Sequence, residues 1–108
     1  LYNELEVDFL LVNTPFYMTT SNEGLYDYFD LINNHLNKPF IIYYNPIRSG
    51  QFITYSVWNK LLKLSNLLGV KDASHDGLTC NYLIKNKNDK LYFTGNDDLF
   101  LNQFLARL

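Results

Sequence analysis

Cysteine occurs once in the 108 residues, at Cys80, so no disulfide can form within the chain and its core must hold the fold. No apolar run is long enough to span a bilayer, and the chain has no signal-like start. With the single cysteine, these absences set the expectation of a cytoplasmic protein with no membrane partner. Charge of one sign is also scarce. The net charge is -2 and the pI near 5.5, with no block of like charges, which excludes the basic footprint that nucleic acid requires. His35, His75 and Cys80 lack the clustered spacing of a zinc site, and Cys80 reads as a small buried hydrophobe. No phosphate-binding glycine loop, dinucleotide fingerprint or nucleophile elbow occurs, so neither a cofactor nor a metal is expected.

What is present is apolar and aromatic material, 47% and 17% of the chain, enough for one ordinary domain around one core. Asparagine is frequent and evenly spread, which reads as compositional bias because no tract is low in complexity.

The chain alternates strand and helix. Residues Leu1 to Glu6 resemble the end of a helix, and Asp8 to Pro15 reads as a first buried strand. Thr20 and Glu23 form a capping-box spacing before Leu25, Tyr28, Phe29, Ile32 and Leu36, which repeat at helical intervals. Pro39 to Asn45 is β-branched and aromatic, a second strand closed by the turn chemistry of Asn45-Pro46 and Ser49-Gly50. A helix from about Thr54 to Leu64 shows Val57, Trp58, Leu61 and Leu62 on one face. After a third strand come a helix from about Leu78 to Lys85, a fourth strand from Lys90 to Gly95, and a final helix with Phe100, Leu101, Phe104 and Leu105 at its apolar positions. Such alternation predicts βαβ units and a parallel sheet, in one domain over residues 1–108.

The third strand is Asn66 to Ser74, an apolar run ending in Lys71 and read as covered on both faces. Lysines at strand ends usually snorkel into solvent. In parallel α/β sheets, however, the carboxyl ends of the strands face the ligand. Desolvation there disfavours an ammonium and frees the amine to attack a carbonyl.

Four segments together resemble the pyruvate-dependent family that contains dihydrodipicolinate synthase and N-acetylneuraminate lyase. They are Thr14-Pro15-Phe16-Tyr17, Tyr43-Tyr44-Asn45-Pro46-Ile47-Arg48-Ser49-Gly50, Gly69-Val70-Lys71-Asp72-Ala73-Ser74, and Gly95-Asn96-Asp97-Asp98. The resemblance implies a (β/α)8 TIM barrel, of which this chain holds about strands 4 to 7 with their helices. The front half would then come from a longer polypeptide or another chain. That half would bring the hydroxyl- and glycine-rich loop that holds pyruvate's carboxylate.

By the same resemblance, Lys71 forms a Schiff base with pyruvate, and Tyr43 is the phenol that moves protons beside it. Alternation along a strand keeps Tyr43 and Tyr44 from facing the same side, and a one-residue slip of the alignment would exchange their roles. Tyr17 matches a tyrosine that reaches a neighbouring subunit's site, which implies a homo-oligomer, a dimer or a tetramer. Arg48 matches the arginine that holds the carboxylate of the incoming aldehyde, and Gly95 a glycine that lets backbone approach the keto acid. The implied activity is condensation of pyruvate with aspartate semialdehyde, in lysine biosynthesis. Alternatives are a lyase or aldolase releasing pyruvate from a longer 2-keto acid, and a non-catalytic half-barrel acting as an assembly module. Arg48 and the Asp72-Ala73-Ser74 run favour the synthase branch.

Overall fold

The structure, a computed structural model, describes residues 7–15 and 21–94. Four strands, β1 (Leu10–Asn13), β2 (Phe40–Tyr44), β3 (Leu67–Asp72) and β4 (Leu91–Thr94), form one sheet in sequence order, each pair parallel. Helices α1 (Asn22–His35), α3 (Tyr55–Leu61) and α4 (Gly77–Asn86) make the crossovers, and the short α2 (Pro46–Ser49) follows β2 directly. All four strands therefore end on the same side of the molecule.

The core lies between the sheet and its helices. From the sheet come Phe40, Ile42, Tyr44, Leu67 and Val70, and from the helices Leu25, Phe29, Val57, Trp58, Leu61 and Leu83. Trp58 and Phe29 are fully buried, and each large apolar side chain so placed is worth about 1.5–3 kcal/mol against exposure. Cys80 is buried too, on α4.

The opposite face of the sheet is only partly covered. Leu11, Ile41, Gly69 and Leu91 are paired across it in one row, and Phe93 lies in the next. Leu11, Leu91 and Phe93 are exposed. Among the described residues the first strand is thus an edge strand with one open face rather than a buried one, and it spans four residues. The lysine run departs from the expected cover on both faces in the same way, since Leu68 and Lys71 are half-buried. Gly69 has a definite reason to be glycine: a Cβ there would stand 2.5 Å from the carbonyl oxygen of Leu91 on β4.

Helix boundaries follow the expected periodicity with two shifts: α3 ends at Leu61 rather than Leu64, and the cap of α1 moves by one residue. Ser21, not Thr20, caps α1, its hydroxyl accepting from the Gly24 N–H at 3.1 Å. Thr20 and the expected final helix lie outside the described residues. Two of the many asparagines, Asn33 and Asn66, tie the chain together at the end of the sheet remote from the strands' carboxyl termini. The Asn66 side-chain amide donates to the carbonyls of Asn33 and Leu36 at 2.8 and 2.9 Å, closing the end of α1, and its N–H donates to Asn33 Oδ1.

Candidate active site

Tyr43 and Lys71 are register partners on neighbouring parallel strands. Parallel partners in register project to the same face, here the open one, so the pairing brings side by side two residues that lie far apart in sequence. The Lys71 Nζ lies 5.2 Å from the centroid of the Tyr43 ring. At that range the electron-rich ring face attracts a cation. Both side chains are half-buried, with Asn13 and Phe93 as the outer members of the same row.

Tyr44 points the other way. It is 2% exposed, meets Trp58 edge-to-face at 5.1 Å, and its hydroxyl accepts from the Ile53 N–H at 3.2 Å. Burial pushes its hydroxyl pKa above the ordinary tyrosine value, against the opposing effect of the Ile53 N–H. Tyr43 is the tyrosine beside the lysine, while Tyr44 belongs to the core.

After Tyr44 the chain turns into α2, and the turn is organised by Asn45. Its Oδ1 accepts from the Arg48 N–H at 3.3 Å, capping the helix, while Pro46 sits in the first turn, where no N–H is needed. Its Nδ2 donates to the Tyr43 hydroxyl at 3.3 Å. Gly50 closes α2 with φ of 74°, a left-handed conformation that suits glycine, and donates to the Pro46 carbonyl at 2.8 Å. Arg48 is exposed on this turn and is tied to Tyr43 through its own N–H and Asn45.

Behind Lys71 stands a buried carboxylate to which the sequence assigned a place in a motif but no structural role. Asp72 is fully buried on the helix side of β3, accepting from the Ser74 N–H at 2.9 Å and from the Tyr92 hydroxyl in a short hydrogen bond. Burial first, then the hydrogen bond to Asp72 and its charge, hold the Tyr92 pKa far above the ordinary value. The Ser74 hydroxyl accepts from the Asp76 N–H, and Asp76 caps α4. The segment after the lysine is thus fastened from Tyr92 to α4. The strand period was the signal available in sequence, since it sends Asp72 to the face opposite Lys71.

Tyr17 and Gly95 lie outside the described residues. His35 ends α1 with Nδ1 2.8 Å from the Leu31 carbonyl, and exposed His75 lies in the β3–α4 turn. Among the described residues no group of three or more His, Cys, Asp or Glu is placed to hold a metal ion, and no helix is long and apolar enough to cross a membrane.

Residues 2–106 match the dihydrodipicolinate synthetase family. A 4-hydroxy-tetrahydrodipicolinate synthase of Clostridium perfringens is 36% identical over 96 residues, covering 88% of this chain and 33% of that protein. One of Pelagibacter ubique is 39% identical over 93 residues, 84% of this chain and 31% of its own. Among solved structures, the dihydrodipicolinate synthase of Bacillus anthracis superposes with a TM-score of 0.86 at 29% identity, over 94% of this chain and 35% of that one. The chain spans about a third of the length of the curated relatives it matches. With its parallel βα units superposed on those enzymes, this chain is part of a (β/α)8 barrel and belongs to the dihydrodipicolinate synthetase family.

Proposed function

We propose that this chain carries the Schiff-base-forming part of a pyruvate-dependent synthase. The observation that carries the reading is the pairing of Lys71 with Tyr43 at the carboxyl ends of adjacent parallel strands, the amine 5.2 Å from the ring centroid. Relatives named as 4-hydroxy-tetrahydrodipicolinate synthases support the synthase branch and the pathway of lysine biosynthesis.

The Lys71 amine attacks the keto carbon of pyruvate, and loss of water leaves a protonated imine. That cation withdraws electrons from the adjacent methyl carbon, which gives up a proton to form an enamine. The enamine carbon then adds to the aldehyde of aspartate semialdehyde. Tyr43 lies close enough to take part in these proton movements, and its ring face favours the iminium as it favours the ammonium. Arg48 binds the aldehyde's carboxylate through its planar fork. Tyr17 and Gly95 complete the assignment, the first by relaying protons in a neighbouring subunit of a homo-oligomer, the second by admitting the keto acid close to the backbone.

A second reading rests on the exposed apolar side chains of Leu11, Leu91 and Phe93 on the open face: the chain acts as a non-catalytic half-barrel whose open face receives another polypeptide. Exchange of the pyruvate methyl protons in heavy water separates the two. Catalysed exchange that disappears in Lys71→Ala and slows in Tyr43→Phe supports the enzyme, whereas no exchange by a folded chain supports the module.

A further inference from the structure

We propose that Asn45 is a positioning residue for the Tyr43 phenol, an inference that rests on the Schiff-base reading of this site. The orientation of its side-chain amide is settled by its neighbours. The Arg48 main-chain nitrogen is a donor only, so the amide atom facing it at 3.3 Å is the oxygen. The nitrogen is left facing the Tyr43 hydroxyl, also at 3.3 Å. A side-chain NH2 is likewise a donor only, so the phenol oxygen accepts, and its single hydrogen stays available to the reacting molecule.

This arrangement fixes three things at once. The Tyr43 ring is held on its face by Lys71 and at its hydroxyl by Asn45. The amide is anchored in turn to α2, the element that carries Arg48. When the phenol passes its proton on, the oxygen gains negative charge, and a donor already in place stabilises that charge without rearrangement. Asn45 thereby ties the proton-transfer group to the turn that carries the carboxylate-binding arginine.

The test uses Asn45→Ser, because serine keeps an oxygen that caps α2 but cannot extend an amide to the Tyr43 hydroxyl. The expected result is an unchanged melting temperature, a retained borohydride-trapped pyruvate adduct on Lys71, and methyl-proton exchange slowed about tenfold, the effect of a misplaced proton-transfer group. On the Tyr43→Phe background the same substitution has no further effect. Exchange as fast as in the unsubstituted chain overturns the proposal, as does an equal loss on the Tyr43→Phe background. A second measurement needs no turnover. In Tyr43→Phe the 15N-labelled side-chain amide of Asn45 shifts and its protons exchange faster with water, because their acceptor is gone. An amide that does not respond overturns the proposal whether or not pyruvate reacts, while an amide that responds in a chain unreactive toward pyruvate sustains the contact and removes the Schiff-base reading instead.

Discussion

An alanine at position 69 would place its Cβ 2.5 Å from the Leu91 carbonyl oxygen and 2.9 Å from both the carbonyl carbon and Cβ of that residue. Two of the three obstructing atoms are backbone, so no rotamer change relieves the contact, and β3 and β4 must separate. Overfilling a packed interior costs about 1–3 kcal/mol, and a backbone obstacle places Gly69→Ala at the upper end, about 3 kcal/mol. For a domain of this size each kcal/mol moves the melting temperature by about 4–8 °C, so the variant should melt about 12–24 °C lower by circular dichroism. The control is Gly77→Ala. That residue opens α4 with nothing within 4 Å of its added Cβ, and alanine there should stabilise by about 0.4–1 kcal/mol. The substitution also bears on chemistry, because Gly69 is two residues before Lys71, and the Lys71–Phe93 pairing depends on the same strand contact. Trapping of pyruvate on Lys71 should slow with the loss of stability. If Gly69→Ala and Gly77→Ala melt together, close packing of β3 on β4 is not what selects glycine at position 69.

Tyr92→Phe removes the hydroxyl from Asp72 Oδ2 and should cost about 1–3 kcal/mol in denaturant unfolding at neutral pH, since the acceptor is a fully buried carboxylate. In the unsubstituted chain the Tyr92 pKa is raised on folding, so above about pH 10 the unfolded state sheds a proton that the folded state keeps. Stability is therefore full below that pH and declines as pH rises beyond it, and a melting temperature level from pH 9 to 12 would contradict the burial of this pair. Arg48→Ala should lower the use of an aldehyde bearing a carboxylate while leaving pyruvate adduct formation intact, and equal retention of both activities would remove the role given to Arg48. The open apolar face should drive self-association in sedimentation velocity, and a monodisperse monomer would show that this face is tolerated in water.

The alternation of strands and crossover helices was legible because apolar runs and 3.6-residue periods are local signals: Phe40–Tyr44, Val57 with Trp58 and Leu61, and the Lys71 run all lie in the elements the pattern assigns them. Alternation along β2 also separates Tyr43 from Tyr44 once one of them is set on the open face. Register was not legible. Nothing local says that Tyr43 pairs with Lys71, or that Gly69 must pass against Leu91, because these contacts depend on how distant strands slide past one another. Asn45-Pro46 reads as a turn, and that it opens a helical turn and reaches back to Tyr43 depends on the direction in which β2 delivers the chain. The first strand looked buried because its residues are apolar, yet among the described residues it is an edge with Leu11 exposed, since composition does not report which face is covered.

The most direct measurement is the intact mass of the folded chain after incubation with pyruvate and borohydride, followed by peptide mapping. The expected result is a single reduced pyruvyl adduct confined to Lys71, absent in Lys71→Ala and formed more slowly in Tyr43→Phe. A folded chain that takes up no adduct, or takes it up indiscriminately on its other lysines, would contradict the claim that this strand end forms the Schiff base.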